Sequence, residues 1–370
     1  MAEIGLAMMV HAKLKLAGTL AGVVSATLLI NFALGTFFGL LARHTMLPKN
    51  ANADLWIVPR GAEIVGQGTL DVYALHVART TPGVVEAAPI LMGALNVTTP
   101  EGRHEGVSLV GTPYPYRLAG PWNVIAGEVG VLRHPDTLIV ESSVRESLGG
   151  LNVGSVREMA GRRTVIGGFT WGLAGLGASY AFADYETARE YLHVPRDRAS
   201  FVLVRVEHGR VDDVAATLRA RLADADVYPT PSFLSKGYRQ LLTKTPIGVT
   251  FGAIALFGLA VGTVVVGLSM FSAVVDNLHE FGLLKALGCT NGDLSLLLLA
   301  QAVAYGVFGS ALGLALVGLV ARALRSPNMS LALPWQLPAA TVVLMLLMCG
   351  AASLLSLARL WKVEPAMVFR

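Results

Sequence analysis

The sequence predicts an α-helical membrane protein with four transmembrane helices (1+3) and a large α+β extracytoplasmic domain between helices 1 and 2. Three observations lead there. The 370 residues are 54% hydrophobic and only 15% charged, with a mean hydropathy of +0.58. A folded soluble surface needs more charge than that. The apolar residues also gather in four long runs, and the stretch between the first run and the second has an ordinary soluble composition.

The first run, 17–42, is 26 residues without a charge, against the roughly 20 needed to cross about 30 Å of hydrocarbon. It carries Asn31, several Phe and no small-residue cleavage motif, so it reads as an uncleaved helix and not as a secretory leader. Ahead of it, 1–16 reads as an amphipathic surface helix bearing His11, Lys13 and Lys15. The later helices are expected at 247–275, 294–321 and 338–358. A short segment, 276–293, joins the first two of these, an outer loop spans 322–337, and a tail covers 359–370. In lipid such spans are helical because no water satisfies their backbone. Lys13, Lys15, Lys285, Arg359, Lys362 and Arg370 then lie on one side and Arg322 and Arg325 on the other, a modest positive-inside bias in the direction of a cytoplasmic N-terminus. Glycines recur four apart at Gly18/Gly22, Gly35/Gly39, Gly248/Gly252, Gly258/Gly262 and Gly309/Gly313, a spacing that lets helix backbones approach closely. Gly248, Gly252, Gly258 and Gly262 are the helix-packing candidates of the second span.

The outer domain, 43–246, shows a repeated pattern. A strand at Ala53–Val58, a helix at Val72–Arg79 and a strand at Val84–Thr98 form one βαβ unit. Phe201–Val206, Val211–Leu222 and Val227–Pro229 form another. Together they read as split ferredoxin-like halves. The glycine-rich segment between them, about 106–183, holds short β-type pieces such as Thr137–Val140 and Arg163–Ile166 and reads as an inserted, mainly β subdomain.

Several function classes lose support. The net charge is +4, but acids interleave with the scattered Lys and Arg, so the concentrated positive face of a nucleic-acid binder is absent. The two cysteines, Cys289 and Cys349, lie in or beside apolar runs and form no disulfide framework or CxxC motif. There is no phosphate loop, no HExxH and no GxSxG. His44 followed by Met46 is the one pair that hints at a metal or haem route, and an interfacial His beside an ordinary Met explains it. Glu101, Glu105, Glu128, Asp136 and Glu141 are expected on solvated faces.

The informative segment lies between the second and third spans, Asp276 to Thr290. It is short and polar at its ends, yet apolar at Phe281, Leu283, Leu284 and Leu287. Those side chains either lie against the membrane or fill a groove on a partner, as amphipathic helices do. Residue chemistry alone leaves the two equal. The segment resembles the coupling region of the FtsX-like permeases, the family that includes MacB, with its pattern close to E-x-x-L-(K/R)-A-(L/M)-G. Glu280, Leu283 or Leu284, Lys285, Ala286, Leu287 and Gly288 match in place, while Phe281 and Gly282 replace the usual Tyr/Ile-Ala. Asp276 to Glu280 is shorter in spacing than the family's D-x-x-x-H-L-x-E stretch. The ending Glu364-Pro365-Ala366-Met367-Val368-Phe369 is similar to the family's D-P-A-x-x-(F/L), with Glu364 for Asp. Within the family, Thr245–Gly248, Phe251-Gly252, Val261–Val266 and Leu347-Met348-Cys349 look most like DevC-type permeases.

The resemblance implies a bacterial inner-membrane permease subunit of an ATP-driven ABC exporter, not an enzyme, working as a homodimer by mechanotransmission. No cofactor is expected on this chain, and ATP and magnesium belong to a separate ATPase subunit. Glu280, Phe281, Gly282, Leu283, Leu284, Lys285, Ala286, Leu287 and Gly288 are then the ATPase-coupling residues. A periplasmic adaptor, an outer-membrane channel and membrane lipid are the further partners, and nucleic acid is not one. The expected cargo is a lipid, glycolipid or other hydrophobic or amphiphilic compound. The alternative is a non-transporting FtsX-like subunit whose stroke activates a periplasmic cell-wall hydrolase.

Overall fold

The computed structural model describes residues 13–98, 104–147, 149–173, 179–243, 246–276, 280, 282–283, 287–323 and 331–360. The chain divides into two compact units. One holds residues 1–39, 246–325 and 331–370, and the other holds 40–245 with 326–330.

The helical unit contains α1 (Lys13–His44), α8 (Pro246–Asp276), α9 (Asn291–Ala323) and α10 (Gln336–Leu360). Each is long and apolar enough to cross a membrane. Lys13 to Leu16 are part of α1 and continuous with the apolar run, and residues 1–12 of the expected surface helix lie outside the described residues. Half of α1's apolar window is buried, against 17% of that of α8, so α1 is the enclosed helix of the four. Through Asn31 its buried positions, 19, 22, 23, 26, 27, 30 and 31, follow the spacing of one helical stripe, and from 33 to 43 every second residue is buried as well. Val23, Ala26 and Ile30 meet Val266, Met270, Ala302, Met345 and Met348 in a single apolar cluster.

The second unit is built on a ten-stranded sheet. Its chain order begins with α2 (Met46–Asn50), β1 (Leu55–Pro59), β2 (Leu70–Asp71), α3 (Tyr73–Arg79), β3 (Val84–Thr98) and β4 (His104–Thr112). Then come β5 (Val124–Gly127), β6 (Thr137–Glu141), α4 (Val144–Ser147), β7 (Val156–Met159), β8 (Arg162–Thr170), β9 (Ser179–Asp184) and α5 (Tyr185–Leu192). The last elements are β10 (Arg198–Ala199), β11 (Phe201–Val206), α6 (Val211–Arg221), β12 (Ala225–Pro229) and α7 (Thr230–Thr243). The strand order is β12-β1-β11-β3-β4-β9-β6-β8-β5, with β7 also on β8, while β2 and β10 pair separately.

Strand β1 is apolar at every position from Leu55 to Val58 and buried throughout, as a strand covered on both faces must be. Its neighbours β11 and β12 both run antiparallel to it. β11 also pairs antiparallel with β3, so β1-α3-β3 and β11-α6-β12 are two crossover units, each with a strand of the other between its own. Trp56 fixes the core beneath them, its ring 4.9 Å from that of Phe201 and 5.0 Å from that of Phe233.

The segment expected as an inserted subdomain shares this sheet. β3 runs for 15 residues, pairing with β11 through Val84–Ile90 and with β4 through Leu91–Thr98. One long strand therefore carries the hydrogen-bond ladder from one region into the other. The β4–β9 strands nonetheless cover a core of their own, including Leu91, Leu109, Leu138 and Ile166.

One acid departs from the solvated faces expected of it. Glu141 is 2% exposed at the end of β6. The carboxylate accepts hydrogen bonds from the Ser143 and Gly172 backbone N–H groups, at 2.7 and 3.1 Å, and from the Ser142 hydroxyl. Charged acceptors are tolerated inside when donors converge on them like this.

Candidate functional site

The expected coupling segment follows directly on α8. Glu280, Gly282 and Leu283 are helical, and the Leu287 N–H closes a turn on the Leu283 carbonyl at 2.9 Å. Leu283 and Leu287 lie four apart and so share one helical face. They are 45% and 81% exposed. Gly282 is buried and Glu280 is exposed. Phe281, Leu284, Lys285 and Ala286 lie outside the described residues, as does the motif at 364–369. Gly288 ends the segment with a φ of +98°, left-handed backbone that glycine adopts without the Cβ clash other residues meet.

Two residues later the chain starts α9 with a reciprocal cap. The Thr290 hydroxyl accepts from the Asp293 N–H at 3.2 Å, and the Asp293 carboxylate accepts from the Thr290 N–H at 2.8 Å. Such a pair satisfies amide donors that a helix start leaves unpaired. The apolar face is thus followed directly by a glycine stop and a capped helix start. The cap was missed at the sequence level, although a Thr-x-x-Asp ahead of an apolar run is its signal.

The packing glycines divide. A Cβ added at Gly262 would lie 2.6 Å from that of Ala26, and one at Gly258 would lie 3.0 Å from Cβ of Leu29. Gly22 of α1 abuts Val265 in the same way. The pairs 22/265, 26/262 and 29/258 run in opposite directions along the chain, so α1 and α8 are antiparallel. Gly309 meets Val23 and Gly313 meets Thr27, a register in which α1 and α9 run the same way. Gly252 differs from the expectation, because a Cβ there would meet nothing within 4 Å. It lies on the exposed face of α8, whereas the buried ridge runs through Gly258, Gly262, Val266, Met270 and Val274. Gly248 is half-buried.

Polar contacts inside this bundle were not legible either. The Thr19 hydroxyl of α1 meets the Ser269 hydroxyl of α8, and Tyr305 of α9 hydrogen-bonds Thr19. Three helices are joined at one level by hydroxyls that, one by one, look unremarkable in sequence. Among the described residues no three His, Cys, Asp or Glu side chains gather closely enough to hold a metal ion. The side chain of His44, in the His44/Met46 pair, lies outside the described ones.

Residues 252–365 match the family model of the FtsX-like permease C-terminal region. That FtsX-like region takes in most of α8, the segment from Glu280 to Gly288, α9 and α10. The chain is also similar to two solved structures. One is the extracellular domain of the noncanonic ABC-type transporter YknZ from Gram-positive bacteria, with a TM-score of 0.36 and 12% identity over 48% of this chain and 98% of that one. The other is the periplasmic region of MacB from Actinobacillus actinomycetemcomitans, with a TM-score of 0.39 and 10% identity over 55% of this chain and 98% of that one. No curated protein matches the chain.

Proposed function

We propose that this chain is the membrane subunit of an ATP-driven ABC export system and that it works by transmitting motion. The observation that carries this reading is the exposed Leu283/Leu287 face between two apolar helices, inside the region that matches the FtsX-like permeases. In this reading Leu283, Leu287 and their neighbours Phe281 and Leu284 fill a groove on a separate ATPase. Glu280 and Lys285 set orientation from the rim, where charge contributes more to specificity than to affinity.

Closure of the ATPase pair on ATP pushes the segment, and α8 carries the displacement toward the outer domain. A continuous helix of 31 residues suits this because its hydrogen-bonded backbone shortens little under load. A second copy of the chain completes the subunit pair, and a periplasmic adaptor with an outer-membrane channel receives the cargo. In the outer domain, the antiparallel order β12-β1-β11-β3 with α3 and α6 on its crossovers supports reading that part as split ferredoxin-like.

The cargo class follows from what the spans lack. Between Lys15 and Arg43, between Pro246 and Asp276, between Asp293 and Arg322, and between Gln336 and Arg359, there is no charged residue. Ion and proton paths are marked by intramembrane charge. Its absence supports a hydrophobic or amphiphilic cargo handled at the membrane surface.

The test is co-purification from the native membrane. The wild-type chain is expected to bring down an ATPase, and Leu287→Asp is expected to lose it while remaining in the membrane at wild-type level. Retention of the ATPase by both Leu287→Asp and Leu283→Asp would sink the reading.

A further inference from the structure

A cleft of about 390 Å³ opens on the sheet unit, between the end of α3, the start of β3 and the loop that follows β4. Its lining includes Arg79, Val85, Glu86, Ala87, Tyr114 and Arg117. The volume falls in the range of small-molecule sites, about 300–1,000 Å³.

Charge on the lining is unbalanced. Glu86 is paired with Arg205 at 2.6 Å, which offsets its negative charge in the cleft. Neither Arg79 nor Arg117 has an acidic partner among the described residues. Arg79 donates from Nε to the Ala87 carbonyl at 3.3 Å, a bond that aims the guanidinium along the β3 wall and leaves both Nη groups for another acceptor. A third guanidinium, that of Arg133, sits 5.5 Å from the centre of the Tyr114 ring. The apolar part of the lining is just as open, with Val85 and Tyr114 each 62% exposed.

The loop carrying Tyr114 and Arg117 is held in place before any ligand arrives. The Tyr116 hydroxyl donates to Asp184 at 3.2 Å, and the Thr112 hydroxyl donates to the Leu118 carbonyl at 2.6 Å. The Ala119 N–H donates to Ala51 at 3.0 Å, and the Asn52 side chain donates to the Arg117 carbonyl at 3.3 Å. Tyr116 and Ala119 sit at φ of 62° and 52°, conformations that non-glycine residues adopt only when surroundings hold them. A guanidinium presents parallel N–H groups that match a carboxylate or phosphate. Two of them beside an open ring and a valine match an anion carried on an apolar body.

We propose that this cleft binds a carboxylate or phosphate borne on a small apolar group, with Arg79 and Arg117 holding the anion and Val85 and Tyr114 covering the apolar part. The site is separate from the Glu280–Gly288 segment, and its test needs no ATPase, so the two readings stand or fall apart.

The full chain in phosphatidylcholine nanodiscs is titrated with hexyl phosphate, inorganic phosphate and hexanol by calorimetry at low salt. Saturable binding of hexyl phosphate is expected, with each of the other two probes weaker by about tenfold or more. The double variant Arg79→Gln/Arg117→Gln is expected to weaken hexyl phosphate by about tenfold or more. Val85→Asp, which leaves both arginines and the fold's buried contacts intact, is expected to do the same by repelling the anion. Three results overturn the proposal: no saturable binding, inorganic phosphate binding as tightly as hexyl phosphate (a free-anion site only), or hexyl phosphate binding unchanged in both variants.

Discussion

Ala26 of α1 and Gly262 of α8 face each other so closely that a Cβ on the glycine would lie 2.6 Å from that of the alanine. An alanine methyl has no rotamer to move into, so the two backbones must separate to admit any side chain at 262. Gly262→Val is therefore expected to destabilise the helical bundle by about 1–3 kcal/mol, read as a lower melting transition of the detergent-solubilised chain. Gly252→Val, on the exposed face, is expected to leave that transition unchanged. A Gly262→Val protein as stable as wild type would remove α1–α8 contact as the reason for the glycine.

Gly288 offers a second test because its φ of +98° is a backbone requirement and not a packing one. A Cβ there would meet nothing within 4 Å, so Gly288→Ala isolates the conformational effect. Placing an L side chain in left-handed backbone costs about 1–2 kcal/mol. The expected outcome is local, with faster amide hydrogen exchange at Leu287 and the first turn of α9 and unchanged exchange in the sheet unit. Protection at Leu287 equal to wild type would show that the turn does not depend on this glycine.

Asp184 makes the stability of the sheet unit depend on pH. Burial raises its carboxyl above the usual 3.8, against the opposing hydrogen bonds from Tyr116 and the Tyr185 N–H. The folded chain thus holds the proton more tightly than the unfolded chain does. This contribution to stability is fully present below the unfolded value and is lost as pH rises through the folded one. Asp184→Asn stays neutral and keeps one oxygen for the start of α5, where Asp184 accepts from the Glu186 N–H at 3.1 Å, while its amide N–H group faces the Tyr116 hydroxyl oxygen and donates to it. As pH is raised above 3.8, the wild type is expected to lose more stability than the variant in denaturant melts at fixed salt. Parallel curves for the two proteins would exclude Asp184 as the source.

The four apolar helices, the strand at Val84–Thr98 and the apolar coupling segment could be read from residue order, since each is a run or a period along a few consecutive positions. The Thr290/Asp293 cap was equally local and equally available. Glu141 was not, because its donors at Ser143 and Gly172 come together only when the turn after β6 meets the end of β8. The cleft was out of reach for the same reason: Arg79 and Arg117 are 38 positions apart in the sequence, 79 to 117, and neither lies in a motif.

By itself, the sequence determined which segments are long, apolar and helical, and which short segment between two of them carries unexplained apolar residues. Tertiary structure alone decided which glycines touch, with Gly262 against Ala26 and Gly252 against nothing. It decided that β3 joins two regions into one sheet. It also decided that two arginines with no acidic partner among the described residues share a cleft. Hydrophobic periodicity is set by neighbours three or four residues away, so it survives in the linear chain. Contact, register and charge balance are set by residues far apart in sequence, and they exist only once the backbone has brought those residues together.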